Sequence, residues 1–161
     1  MTQTIFVFGC TGQDGALLCK SLLESNFRVI GFSRKINPNR QKHELLGINN
    51  DFEIEKINLN NPQEIQKAIE KYSPTEIYNL SAQSSVGQSY LKVRETVESI
   101  VNTTVNILQS TKELDYKGKL FFASSGEIYG ETNIAASIST NHNPQSPYGI
   151  AKASSFKYVK F

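Results

Sequence analysis

Apolar positions along the chain come in short runs parted by windows of helical period. Thr4-Ile5-Phe6-Val7-Phe8 is an unbroken run of strand-forming residues that stops at Gly9. A run without polar alternation has both faces covered, which marks a central strand of a parallel sheet. The period then changes: between Asp14 and Ser25, Leu18 and Leu22 share a helical face with Gly15, and Asn26 suits the helix end. Arg28 to Phe32 predicts a second strand, Glu53 to Leu59 a weaker third, Glu76 to Leu80 a fourth and Lys119 to Ala123 a fifth. Further helices are predicted over Arg40 to Leu46, closed by Gly47, from an Asn61 cap and first-turn Pro62 to Tyr72, and over Glu95 to Leu114. Ser81 to Ser89 and most of Ser124 to Pro147 predict loops, and a last helix starts near Pro147 and is still running at Phe161. Strands alternating with helices predict an α/β fold, a doubly wound parallel sheet of order 3-2-1-4-5.

Composition narrows this picture. At 161 residues the chain fits one core. With 17 basic and 15 acidic residues the formal charge is +2, and the cations form no stripe, so no nucleic acid partner is expected. No apolar run reaches the roughly 18 residues of a membrane span. Met1-Thr2-Gln3-Thr4 carries no basic signal region, so a cytoplasmic protein without membrane contact is the expectation. Cys10 and Cys19 cannot build a disulfide framework, and neither His43 nor His142 stands at ligand-like spacing to them. No metal is expected, and both cysteines read as small apolar residues in a reduced compartment.

Chemistry enters with Gly9-Cys10-Thr11-Gly12-Gln13-Asp14-Gly15, a glycine-rich turn that follows a strand and opens a helix. The first glycine permits the tight turn, the second lets backbone N–H groups approach a pyrophosphate, and the third allows helix and sheet to pack closely. The same residues would also serve as plain turn glycines. A Rossmann dinucleotide site that selects NAD places an acid at the end of strand two, whereas here the chain reads Ser33-Arg34-Lys35. Two cations and no acid favour NADP over NAD, the alternative being that Arg34 and Lys35 are solvated loop charges. Across the switch point, Leu80-Ser81-Ala82-Gln83-Ser84-Ser85 supplies small residues for a close passage beside the nicotinamide.

Tyr148 and Lys152 stand at i and i+4 on the last helix. A tyrosine is ordinarily a poor base at neutral pH, but a neighbouring ammonium and an oxidised nicotinamide favour its phenolate, which can take a proton from a substrate hydroxyl as hydride leaves the same carbon. On Thr11-Gly12-Gln13-Asp14-Gly15, Tyr78-Asn79-Leu80-Ser81-Ala82-Gln83-Ser84, Ser124-Ser125-Gly126-Glu127-Ile128-Tyr129-Gly130 and Ser146-Pro147-Tyr148-Gly149-Ile150-Ala151-Lys152, the chain resembles the extended short-chain dehydrogenases/reductases. Within them it is most similar to the GDP-mannose 4,6-dehydratases.

The resemblance implies internal redox chemistry on GDP-mannose or a related nucleotide sugar. Tyr148 would deprotonate the C4 hydroxyl, held by Ser125, while hydride passes to NADP⁺. Glu127 would then remove the acidified C5 proton and help expel the C6 hydroxyl as water, before the hydride returns to C6. NADP would meet Gly9, Thr11, Gly12, Gln13, Asp14, Gly15, Arg34, Asn58, Leu59, Leu80, Ala82, Gln83, Ser84, Tyr148 and Lys152, and the sugar nucleotide Ser84, Ser85, Ser125 and Glu127. Several positions depart from the family pattern: Ser85 stands where histidine is common, Gly126 replaces a small hydroxyl residue, and Asn58-Leu59 replaces Asp-Leu. The segment from Ile36 to Asn50 lacks the Ser- and Arg-rich loop through which relatives reach a neighbouring subunit, although a homo-oligomer is expected of the full-length protein. Family members run well beyond this length, so the chain reads as a fragment: residues 1–161 form the NADP-binding Rossmann domain with the catalytic residues, truncated before the C-terminal substrate domain. Two alternatives stand beside the dehydratase, an epimerase or keto-reductase for which Glu127 is incidental, and a non-catalytic truncated nucleotide-binding domain.

Overall fold

The computed structural model describes residues 2–161. Five parallel strands, β1 (Thr4–Phe8), β2 (Arg28–Ser33), β3 (Glu53–Lys56), β4 (Glu76–Asn79) and β5 (Lys119–Phe122), lie in the order β3-β2-β1-β4-β5. The predicted order 3-2-1-4-5 is the observed one. Strand β1 is central, with Phe6 opposite Ile30 of β2 and Ile77 of β4. Its unbroken apolar run serves both faces. Phe6 and Phe8 pack with Ile30, Phe32, Ile65, Ile69 and Ile107 on one side, and Ile5 and Val7 pack with Cys19, Leu22 and Phe52 on the other. On the first side Phe6 meets Phe32 edge to face, with ring centroids 4.7 Å apart.

Helices α1 (Gln13–Glu24), α2 (Gln41–Leu45) and α3 (Pro62–Tyr72) connect the first four strands. Asn61 caps α3 by accepting from the Gln63 N–H at 3.1 Å, with Pro62 in the first turn as predicted. Left-handed residues end these helices: Asn26 after α1 (φ 61°) and Ser73 after α3 (φ 45°). Strand β3 stops at Lys56, short of the predicted Leu59: the Ile57 N–H still reaches Ser33 O at 2.9 Å, but the next N–H, of Asn58, goes to Glu64 Oε2 at 2.8 Å, and Ile57 and Leu59 remain buried.

Two corrections concern the stretch after β4. The predicted loop from Ser81 to Ser89 contains a helix, α4 (Val86–Leu91), begun by Ser85, whose hydroxyl accepts from the Gln88 N–H at 3.2 Å. The predicted helix from Glu95 to Leu114 starts earlier and is not continuous: α5 (Val93–Val97) passes through one π-helical turn (Glu98–Asn102) into α6 (Thr103–Glu113). Side-chain hydroxyls compete for the carbonyls of that turn. Thr103 Oγ1 donates to Ser99 O and Thr104 Oγ1 to Ile100 O, each at 2.6 Å, and Ser155 Oγ reaches the same Ile100 carbonyl from the last helix at 3.2 Å.

The last helix, α7 (Pro147–Lys160), is capped by Ser146, whose hydroxyl accepts from the Gly149 N–H at 3.0 Å. It packs on the π turn through Ile100, Tyr148 and Ala151. Strand β5 forms the sheet edge, and its Phe121 is 50% exposed. Among the described residues no helix is long and apolar enough to cross a membrane.

Candidate functional site

All five strands point their C-terminal ends toward one cavity of about 710 Å³. In an open α/β sheet this crevice, at the point where the strand order reverses, is where ligands bind. Its floor is the glycine-rich turn between β1 and α1. Gly9 takes φ +84°, and a Cβ there would lie 2.7 Å from the Leu80 carbonyl carbon, so the turn and the loop after β4 touch backbone to backbone. Gly15 is tighter still: its Cβ would meet Gly9 O at 2.2 Å. The start of α1 has no side-chain cap, since Gly12 occupies the capping position, and Gln13, Asp14 and Gly15 line the cavity. Uncapped first-turn N–H groups at the positive end of a helix dipole fit a pyrophosphate. The residues present therefore suit a dinucleotide.

Arg34 and Lys35 lie on the wall beyond β2, where Lys35 N–H is turned inward to Ser33 Oγ at 3.1 Å. Asn58 and Leu59 line the same side; Asn58 is held there by its N–H on Glu64 Oε2 at 2.8 Å and by its own Oδ1, which accepts from the Asn60 N–H at 3.1 Å. Thr11, Leu80, Ala82 and Ser84 also face the cavity. The loop carrying the last three is fixed by buried Asn79 at the end of β4. Its Oδ1 accepts from Ser81 Oγ at 2.6 Å and from the Ser81 N–H at 3.2 Å. Sequence reasoning passed over Asn79, although an Asn at a strand end before Leu-Ser is the signal for such a side-chain turn.

Four residues read from the sequence as site residues are not on the cavity wall. Gln83 turns toward α5, donating to Thr96 Oγ1 at 3.3 Å and to Ser85 O at 2.9 Å, so it organises its own loop. Ser85 is spent on capping α4. Ser125 caps a 3-10 turn (Gly126–Ile128) by accepting from the Glu127 N–H at 3.2 Å, and Glu127 accepts at Oε2 from Ser146 Oγ at 3.4 Å.

Tyr148 and Lys152 do reach the wall, beside Ser124. Helix α7 places them one turn apart, 8% and 5% exposed. Lys152 Nζ lies 5.8 Å from the Tyr148 ring centroid and donates to Ala123 O at 2.7 Å. Burial pushes the ammonium down to about 8. A phenol and a cation thus line the cavity that also holds the uncapped start of α1. That arrangement can bind a dinucleotide and move a proton beside it.

Sequence reasoning also missed His43. It is fully buried, and its Nε2–H donates to the carbonyl of Cys10 in the glycine-rich turn at 2.9 Å. Its partner is a backbone atom 33 residues away, which leaves no mark in the sequence.

The profile of the GDP-mannose 4,6 dehydratase family matches residues 6–160. Among curated proteins, the human GDP-mannose 4,6 dehydratase is 33% identical over 156 residues, covering 91% of this chain and 42% of the relative. That of Yersinia enterocolitica is 31% identical over 155 residues, with the same 91% and 42% covered. The chain therefore spans less than half the length of these relatives. Among solved structures, UDP-glucose 4-epimerase from Thermotoga maritima superposes with a TM-score of 0.86 at 23% identity, covering 99% of this chain and 50% of that one, a likeness of fold. Because the profile runs without interruption from the first strand through the glycine turn to the end of the Tyr148–Lys152 helix, the chain belongs to the GDP-mannose 4,6-dehydratase family.

Proposed function

We propose that residues 1–161 form the cofactor-binding and proton-handling half of a GDP-mannose 4,6-dehydratase that uses NADP, and that the sugar-nucleotide pocket is completed by chain outside these residues. The observation that carries this reading is the pairing of Tyr148 and Lys152 on the wall of the cavity whose floor is the uncapped start of α1. When bound, the dinucleotide supplies the site that accepts hydride from the sugar and later gives it back. Tyr148 takes the C4 hydroxyl proton. Lys152, held by the Ala123 carbonyl, keeps positive charge beside the phenol and favours its ionised form. The Ser125 hydroxyl, which accepts from the Glu127 N–H and lies outside the cavity wall formed by residues 1–161, keeps its own hydrogen to donate to the C4 oxygen in the pocket completed by the rest of the protein. With C4 oxidised, the C5 proton is acidic; Glu127 removes it, and the C6 hydroxyl departs as water. Return of hydride to C6 and of a proton to C5 leaves a 4-keto-6-deoxy sugar, so atoms and electrons balance with the loss of one water.

Arg34 and Lys35 support NADP because they stand on the cavity wall with no acid beside them at the end of β2. A second reading, an epimerase or keto-reductase of the same superfamily, draws support from the placement of Glu127 outside the cavity wall. Glu127→Gln in the protein carried to its natural C-terminus separates the two. A dehydratase should still reduce the dinucleotide from C4 of GDP-mannose yet lose elimination by on the order of 10² or more, the scale of a general acid–base residue. Elimination at the unaltered rate would remove Glu127 from the role.

A further inference from the structure

Helix α2 is only five residues long, with the Gln41 N–H held by Asn39 Oδ1 at 2.8 Å, and so short a helix depends on contacts outside itself for its position. Two adjacent residues of it have different surroundings. Lys42 lies on the cavity wall with Arg34 and Lys35, whereas His43 is buried in the core behind the glycine-rich turn. His43 is gripped there on two sides: Nε2–H donates to Cys10 O at 2.9 Å, and the ring stands edge to face on Phe52 with centroids 5.2 Å apart. The cation of Arg40, one turn earlier, lies 5.3 Å from the same Phe52 ring. Nδ1 of His43 is buried without a partner, so Nε2 carries the polar connection. Burial also lowers the proton affinity of the imidazole, in keeping with a neutral ring whose one N–H is at Nε2.

The charged residues lining the cavity are the cations Arg34, Lys35, Lys42 and Lys152 and the acids Asp14, Glu95 and Glu98, and Asp14, at the start of α1, makes no ion pair among the described residues. Among the described residues Arg34, Lys35 and Lys42 form no ion pair, while the acids Glu95 and Glu98 are paired with Lys92 and Arg94 at 3.3 and 3.0 Å. Arg34, Lys35 and Lys42, three unpaired cations that line the cavity apart from the Tyr148–Lys152 pair in sequence, suit a doubly charged phosphate more closely than two do.

We propose that Lys42 is a third cation reading the 2′-phosphate of the dinucleotide, and that His43 is the positioning residue that sets it, by fastening α2 to the Cys10 carbonyl. The proposal rests on the NADP reading above. The glycine turn and the phosphate-reading wall are then one unit: the peptide that receives His43 lies next to those that face the pyrophosphate.

Calorimetric titration of NADP and NAD into this chain and its variants tests the proposal. Lys42→Ala should weaken NADP by about five- to tenfold and leave NAD within about twofold, the loss expected of one charge-assisted contact. His43→Leu should show the same selective loss, and His43→Gln, whose terminal amide stands where Nε2 did, should restore the preference. A merely structural histidine would weaken both dinucleotides alike and would not be rescued by its hydrogen-bonding capacity. If His43→Leu does not fold, His43→Asn takes its place, because its shorter amide cannot reach Cys10; loss with Asn and retention with Gln support the role. If Arg34→Ala removes the NADP preference while Lys42→Ala leaves it intact, the proposal falls and the NADP reading stands. Equal affinity of the unaltered chain for both dinucleotides would overturn both. Equal weakening of both dinucleotides by His43→Leu, without rescue by Gln, would overturn the positioning role.

Discussion

Lys152 donates to the carbonyl oxygen of Ala123 at 2.7 Å, tying the helix that carries Tyr148 to the end of the edge strand β5. The ammonium is 5% exposed and has no carboxylate partner among the described residues. A buried cation kept by one carbonyl costs stability unless a bound anion or a developing phenolate compensates it.

Stability should therefore depend on pH through Lys152. Its folded value, about 8, lies below the ordinary 10.5, so between these values the unfolded chain binds more protons and the contribution of Lys152 to stability rises with pH. At about 1.4 kcal/mol per pH unit the full span is about 3 kcal/mol. Cys10, pushed up to about 12 by burial, acts in the opposite sense above the ordinary thiol range, so the comparison must be internal. Lys152→Met should be more stable than the unaltered cofactor-free chain at pH 7, by about 1 to 3 kcal/mol after allowance for the unpaired Ala123 carbonyl. That advantage should shrink as pH rises through 8 toward 10.5. Urea unfolding of both proteins across this range would show it, and a less stable Met variant at pH 7 would contradict it.

The glycine turn gives a paired test. Gly15→Ala places a methyl 2.2 Å from a backbone oxygen that cannot move without shifting Gly9, so it should cost about 2 kcal/mol or more and weaken dinucleotide binding at least tenfold. Gly126→Ala meets nothing within 4 Å and should stay within about 0.5 kcal/mol of the parent. Thermal unfolding with and without NADP measures both.

Ser146 joins two parts of the site, since its hydroxyl accepts from the Gly149 N–H and lies 3.4 Å from Glu127 Oε2. Ser146→Ala should lower stability by about 1 kcal/mol through the lost cap, whereas Ser146→Thr, which keeps an uncharged hydroxyl both to cap Gly149 and to donate to Glu127, should recover most of it. Chemical denaturation of the two variants distinguishes capping from packing.

Sheet order was legible because β1 is a continuous apolar run and each later strand is set off by turn residues or prolines. Tyr148 and Lys152 were legible because a helix brings i and i+4 together without help from the rest of the fold. Helix α4 was not: Ser85 and Gly87 read as loop residues, and only the contact of the Ser85 hydroxyl with the Gln88 N–H makes the former a cap. At the π turn one of the hydroxyls on the Ile100 carbonyl is that of Ser155, which arrives from a helix 55 residues downstream. Gln83 fits the family motif by type, yet its amide is drawn to Thr96 by the packing of α5. In each case the deciding partner is distant in sequence or is a backbone atom common to all residues.

The most direct measurement is the mass of the product formed from GDP-mannose by the protein carried to its natural C-terminus, with a catalytic amount of NADP. Loss of one water from the sugar nucleotide, abolished by Tyr148→Phe, is the expected result. An unchanged mass with only an epimer formed, or full conversion by Tyr148→Phe, would contradict the dehydratase reading.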